Sequence, residues 1–538
     1  MREERDMGAG LEIVIAGGGA AGWLTACYLQ RMLVGRMPAA TGAPLITVIE
    51  SPDIGIIGVG EGTFPTLRST LSALEIEEAR FLRESNATFK QGIRFDDWAR
   101  TPRDGVGGRT HYFHPFEPPQ QVEGAEMVPF WLLGDAGPGL DFADAVTVQK
   151  RVADASLAPK RTHDGGYRAP LNYAYHFDAF RFAGLLAAVA KDRGVRHLSD
   201  TIESVQLDET GAIAGLMTRA HGLVKGTLYI DCTGLRAKLL GEALGQPFQS
   251  CKDALFCDRA VTCQVPYDRP DAPIPSYTIA TAHESGWSWD IGLNNRRGIG
   301  YVYSSAHSDD ARAEEVLRGY IGAACDGKPV RVLKFAAGYR ERQWVRNCVA
   351  VGLSAGFFEP LESTGLMLIE VAAAMIAELF PWNTDFAAAA RLFNDRMSKR
   401  CSRIVSFLKM HYCLSQRTEP FWQDNRLAAG IPDDLQCLLA AWRTRPPSRF
   451  DFVGDYETFP YFSYQYVLYG MGFRTDLEAA RSRYAALSGA AQEGFKQLRR
   501  IAQKAAADLP SHRALIERVY RDGFAERPHP LASGGGRH

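Results

Sequence analysis

Apolar positions near the start of the chain come in continuous runs, and further on they alternate with polar ones. "LEIVIAG" and "LITVIE" are short aliphatic runs of the kind that form strands buried on both faces, and "AAGWLTACYLQRML" between them predicts a helix packed against both. Together they make a βαβ unit, the start of a parallel, doubly wound sheet. "TLYIDCTG", ending at Gly234, and "NCVAVGLSAG", ending at Gly356, read as later strands of that sheet. "FKQGIRFDDW" and "GIGYVYSS" instead alternate like half-exposed strands, which predicts an inserted antiparallel sheet. On such a strand Phe89, Ile93 and Phe95 share one face and Lys90 points to the other, as a solvated lysine would.

"FEPLESTGLMLIEVAAAMIAELF", residues 358 to 380, predicts an apolar helix that starts at Ser363 or Thr364 behind the stiff Pro360. Glu370 and Glu378 interrupt it, so it reads as a core helix rather than a membrane span. Glu359 and Glu362 crowd its mouth. The helix dipole favours acids there, but a capping box would need an acid three residues after the cap, where Leu366 and Met367 stand, so capping leaves Glu362 unexplained. Beyond about residue 384 the chain turns helical, with a dense aromatic stretch from Phe450 to Phe473 that suits a cap or a stacking surface for a flat ring. The expected organisation is an α/β core with an inserted sheet over 1–383, a helical substrate cap over 384–528 and a frayed tail, 529–538.

Composition narrows the partners. A chain of 538 residues, 46% hydrophobic, exceeds one average domain and can bury large cores. Its 61 basic and 62 acidic residues nearly cancel, so no overall field draws it to nucleic acid or an anionic membrane, and small molecules are the expected ligands. The ten cysteines lack metal-site spacing, even in "CKDALFC", and read as reduced thiols of a cytoplasmic protein without a metal; the N-terminus does not read as a signal peptide.

"GGGAAG" places Gly17, Gly19 and Gly22 in the G-x-G-x-x-G spacing between a strand and a helix, with Ala20 and Ala21 at the helix start and Glu50 closing the second strand. The glycines allow a tight turn and close approach to a pyrophosphate, the helix N-terminus attracts its charge, and the acid would hold a ribose hydroxyl. Gly352, where the sheet resumes far downstream, joins them as a cofactor-binding candidate. One such motif in a discontinuous domain points to FAD rather than NAD.

"GGGAAGW", "GVGEGTFPT", "FKQGIRFDDW", "YHFD", "DCTG", "GWSWDIG", "GYVYSS" and "EPLESTG", in that order, resemble the flavin-dependent tryptophan halogenases over roughly residues 11 to 381. The resemblance implies FADH2 delivered by a separate flavin reductase, with oxygen and chloride or bromide as co-substrates. Hypohalous acid formed at the flavin would travel through a tunnel to Lys90, which hydrogen-bonds it or becomes a haloamine, and Glu362 would assist substitution on the arene. It further implies a halide pocket at Thr364 and Gly365, and a barrier between flavin and substrate at Trp287 and Trp289. "GVGEGTFPT" would be a strap touching both sites, and His114, Phe116 and Ser363 would lie along the substrate cavity or tunnel. Gly292 stands where the family has a proline. An indole, alone or within a larger molecule, is the expected substrate, and a homodimer is left open. An aromatic hydroxylase and a non-catalytic flavin-binding protein are the rival readings.

Overall fold

The computed structural model describes residues 10–35, 42–55, 60–102, 110–454 and 457–524. The expected tail and the first two residues of the strap, 58 and 59, lie outside them.

The aliphatic runs form the centre of a six-stranded sheet in the order Arg196–Ser199, Leu45–Glu50, Glu12–Ala16, Leu228–Asp231, Cys348–Ala350 and Trp344–Val345. All pairings are parallel except the last, a two-residue edge strand. Ile13, Ile15, Val48 and Ile230 are buried under helices on one face, and Val14 on the other under the strands Ile202–Leu207 and Ile213–Thr218 and the π turn Lys238–Ala243. The helix Ala20–Leu29 follows the first strand, continues as a wider π turn over Gln30–Val34, and packs on Ala179–Asp192 and Thr364–Glu378. Asp178 starts the Ala179–Asp192 helix by accepting from the amides of Phe180 and Arg181.

The second layer is a seven-stranded sheet in the order Arg331–Lys334, Arg259–Pro266, Arg296–Tyr303, Gly286–Gly292, Thr278–His283, Gly92–Asp96 and His111–Pro115. Its pairings are antiparallel except that Thr278–His283 runs parallel to Gly92–Asp96. Two expectations need correction. "FKQGIRF" is two strands: Thr88–Lys90 joins a small sheet with Ala174–Phe177 and Glu61–Gly62, and the chain changes sheets at Gln91 before Gly92–Asp96. These strands and Arg296–Tyr303 are mostly buried rather than half-exposed, because cap helices and a further helix, Asp310–Ile321, cover the faces that alternation assigned to water.

The last third is helical, and its buried residues merge with the sheet: Trp287, Trp289, Phe407, Tyr412, Phe459 and Tyr466 belong to one hydrophobic cluster. The terminal helix His512–Asp522 turns back to the core, where His512 Nε2 accepts from the Phe89 amide at 3.0 Å.

Candidate active site

The glycine-rich turn has the shape its spacing implies. Gly17 has φ +114°, and a β-carbon there would lie 2.2 Å from the Cys232 carbonyl oxygen; one at Gly22 would lie 1.9 Å from the Gly17 oxygen. A β-carbon at Gly19 would meet nothing within 4 Å. Two glycines are thus consumed by protein packing while the third faces open space, and no side chain caps the helix that starts at Ala20. That combination fits a dinucleotide pyrophosphate. Gly352 lies against the same turn, since its β-carbon would sit 2.9 Å from Ala21 Cβ. The Glu50 carboxylate lies 3.0 Å from His197 Nε2, a neighbour that no motif announced.

The Thr364–Glu378 helix has a second uncapped N-terminus. Its N-cap residue, Ser363, has the expected position but no side-chain capping bond. Both Glu362 (φ 64°) and Ser363 (φ 59°) are left-handed, a conformation costing roughly 1–3 kcal/mol per residue and tolerated where surrounding contacts impose it. The kink turns the Ser363 hydroxyl away from the helix and toward Lys90. Thr364 is buried and Gly365 is exposed, with no atom within 4 Å of where a β-carbon would stand. The helix mouth can therefore receive a small anion.

Lys90 is 1% exposed, contrary to the solvated position that alternation predicts. Its ammonium donates to Ser363 Oγ at 3.0 Å and to the Thr63 carbonyl at 3.2 Å, and lies 5.5 Å from the centre of the Phe116 ring. Burial pulls it down to about 7 against the opposing attraction of Glu362. The small sheet sets this position. Lys90 pairs with Ala174, and Gly62 pairs with His176, two residues along the shared strand and so on the same face. A β-carbon on Gly62 would lie 3.2 Å from Lys90 Nζ and 2.7 Å from Ser363 Oγ. Gly62 leaves the space the lysine head occupies. Its place in the strap offered no sign of this, because the neighbouring strands come from distant sequence.

Glu362 does not bond Lys90 directly; Ser363 stands between their roles. Its Oε1 accepts from His114 Nδ1 at 2.7 Å and from His411 Nε2 at 3.1 Å, and all three side chains are buried. His411 Nδ1 faces the Phe407 carbonyl at 3.0 Å. Both of its ring nitrogens thus lie within hydrogen-bonding distance of oxygen atoms. Burial alone would raise the Glu362 carboxyl, but the charge and hydrogen bond of His114, joined by those of His411, hold it at about 2. His411 carries no motif; it sits near the end of the long Ala387–Cys413 helix, and only the packing of that helix brings it here.

Trp287 and Trp289 share one face of the Gly286–Gly292 strand, with ring centres 6.3 Å apart. Trp289 lies over Gly300 of the neighbouring strand, where a β-carbon would be 2.2 Å from its ring. Trp287 packs on Trp98, which packs on His411, each pair 6.1 Å between centres. The tryptophans are thereby tied to the Glu362 cluster. Gly292 continues the strand without a break, and its carbonyl accepts from the Thr88 hydroxyl at 2.6 Å. Around His114 and Lys90 stand Phe116, Phe407 and Tyr466, with Phe459 stacked on Phe407 at 3.8 Å and Phe64 5.4 Å from Phe459. Among the described residues no cluster of histidine, cysteine or acidic side chains could hold a metal.

Comparison with known proteins gives the same picture. The tryptophan halogenase family profile matches residues 12–485. Tryptophan 6-halogenase SttH of Streptomyces toxytricini is 34% identical over 525 residues, covering 93% of this chain and 96% of that protein. Tryptophan 7-halogenase RebH of Lentzea aerocolonigenes is 33% identical, covering 87% and 91%. Among solved structures, a tryptophan halogenase from Shewanella frigidimarina NCIMB 400 superposes with a TM-score of 0.90 at 41% identity, over 96% of this chain and 98% of that one.

Proposed function

The chain belongs to the flavin-dependent tryptophan halogenase family, and from that premise we propose that it halogenates an indole, free or within a larger molecule, at the Lys90–Glu362 centre, using FADH2 from a separate reductase, oxygen, and chloride or bromide. The observation that carries this reading is a buried lysine bonded to Ser363, beside a buried carboxylate held by two histidines.

Gly17, Gly19, Ala20, Ala21, Gly22, Glu50 and Gly352 would hold reduced FAD, which would supply oxidised halogen from oxygen and halide. Thr364 and Gly365 offer amides at an uncapped helix start for the halide. Trp287 and Trp289, both buried, would separate the flavin from the arene. Lys90, with a value of about 7, populates ammonium and amine alike near neutrality. The ammonium polarises hypohalous acid by hydrogen bonding; the amine attacks its halogen to give a haloamine. Glu362 stays ionised, faces the positive charge that develops on the ring, and takes the ring proton, which is acidic enough for a weak base.

The arene is gripped by rings: Phe116, His114, Phe407 and Tyr466 offer stacking surface. Glu457, the carboxylate that could meet an amino-acid ammonium, already lies 3.4 Å from Arg403 Nε. That favours a substrate recognised through its indole. Among the described residues no helix is long and apolar enough to cross a membrane, and we place the enzyme in the cytoplasm with its reductase.

Purified protein supplied with flavin reductase, FAD, NADH and bromide, and offered indole, tryptophan and a tryptophan-containing peptide, tests the reading by mass spectrometry. Brominated product that disappears in Lys90→Ala while flavin binding persists supports it. Oxygenated product without halide dependence selects a hydroxylase, and product unchanged in Lys90→Ala removes the lysine from the mechanism.

A further inference from the structure

Two cysteines far apart in the sequence meet outside this site. Cys263 lies in the Arg259–Pro266 strand, and Cys325 ends the short 3-10 turn Gly322–Cys325 that follows the Asp310–Ile321 helix. Both are free thiols, 2% and 1% exposed, with their sulfurs 3.6 Å apart. They sit among Val261, Val265, Ile299 and Leu317. Alternation along the strands puts this cluster on one face of the seven-stranded sheet and Trp287 and Trp289 on the other, paired with Val302 and Gly300. The thiols are one sheet thickness behind the tryptophan barrier. Simple core packing accounts for one buried cysteine but gives no reason for two sulfurs in contact, nor for the cation beside them: Arg318 Nη1 donates to the Cys325 sulfur at 3.4 Å and to its carbonyl at 3.0 Å.

We propose that Cys263 and Cys325 are an oxidisable pair that hypohalous acid closes to a disulfide. A disulfide needs the sulfurs at about 2.05 Å, so closure asks only for a small approach of the turn to the strand. The steps balance. The Cys325 sulfur, with Arg318 against it, attacks the halogen; a sulfur–halogen bond forms, the oxygen–halogen bond breaks, and the departing hydroxide leaves as water with the Cys325 proton. The Cys263 sulfur then displaces halide, forming the sulfur–sulfur bond and releasing its own proton. Each sulfur gives one electron and the halogen takes both. Burial pushes the Cys263 thiol up to about 11, which disfavours it as the first nucleophile. The closed pair would fasten the Asp310–Ile321 layer to the sheet and consume oxidant that escapes the site. The source of that oxidant rests on the proposed function; the chemistry of the pair does not.

The full-length reduced protein is treated with a small excess of hypochlorite, blocked with N-ethylmaleimide and peptide-mapped without reductant. The expected result is one linked species containing Cys263 and Cys325, lighter by two hydrogens, released by dithiothreitol and absent from Cys263→Ala. In that variant Cys325 should instead run on to sulfinic acid. Recovery of both cysteines as separate maleimide adducts or separate sulfinic acids, while the half-buried Met32 and Met217 are oxidised, overturns the proposal, and the wild-type map decides this even if the variant does not fold. A parallel sample under turnover with bromide and no arene should give the same link. Linking by reagent but not during turnover would count against hypohalous acid as the enzyme's product and leave the pair's chemistry standing.

Discussion

The two sides of one turn treat two buried glutamates in opposite ways. Glu359 and Glu362 are 1% and 4% exposed, and burial pushes each carboxyl up. On the Glu359 side the partner is a phenol: Tyr412 donates at 2.5 Å, the other carboxyl oxygen has no hydrogen-bond partner, and the group stays at about 7. On the Glu362 side the partners are His114 and His411, and the group falls to about 2. His114, joined by His411, makes the difference, and His411 and Tyr412 are consecutive residues of one helix that serve opposite sides of the turn. Equal burial therefore does not set the charge; whether the donor carries a charge of its own does. One side of the turn gives a carboxyl that is neutral in mildly acidic solution, the other a carboxylate ready for chemistry.

The sharpest way to break this comparison is to neutralise each acid. Glu362→Gln should lower halogenated product by about 10²- to 10⁴-fold with flavin binding retained, whereas Glu359→Gln, which copies a protonated carboxyl, should cost less than about tenfold. Equal losses in quantitative product assays would erase the distinction. Gly62→Val comes next: its methyl groups would occupy the place of Lys90 Nζ and Ser363 Oγ, and kcat should fall by about 10- to 100-fold. A rate unchanged in steady-state kinetics would show that the lysine head needs no such room. Removing one imidazole, His411→Phe, should let the Glu362 carboxyl rise. Ionised Glu362 is the working form, so the acid limb of the pH–rate profile should move to higher pH, while a merely structural role would lower the whole curve without moving its limb.

The smallest effect is on stability. The Glu359 carboxyl is raised on folding, so its burial is tolerated fully below its unfolded value of 4.5 and destabilises increasingly as pH climbs through about 7. Glu362 has the opposite sign: its contribution is present above 4.5 and lost as pH falls toward about 2. Glu359→Gln should thus gain about 1–3 °C in melting temperature over wild type between mildly acidic and mildly alkaline buffer, measured by calorimetry. A gap that narrows as pH rises would contradict the assigned sign.

Much of this was legible in order and spacing. "GGGAAG" works through backbone, and a local turn followed by a helix needs nothing remote to take shape. Lys90 and Glu362 could be singled out by motif order, but not their surroundings. The chain changes sheets at Gln91, and alternation along "FKQGIRF" cannot register that the same period continues in a different sheet. Alternation alone reads Lys90 as solvated, because a polar residue opposite phenylalanines points outward, and only the resemblance puts it at a reaction centre; a second layer covers that side. His411 is invisible to sequence reading because it lies in the last turn of a long helix, 49 positions beyond its partner, with no spacing that chemistry prescribes. Gly62 could be read as a loop glycine; only the register with His176 shows that its missing side chain makes space.

The most direct test is infrared difference spectroscopy of the two glutamine variants at about pH 6, between the two carboxyl values. Wild type minus Glu359→Gln should contain the carbonyl stretch of a protonated carboxylic acid, and wild type minus Glu362→Gln should contain only the paired bands of a carboxylate. Protonated-acid bands from Glu362, or carboxylate bands alone from Glu359, would contradict the opposite environments on which the account depends.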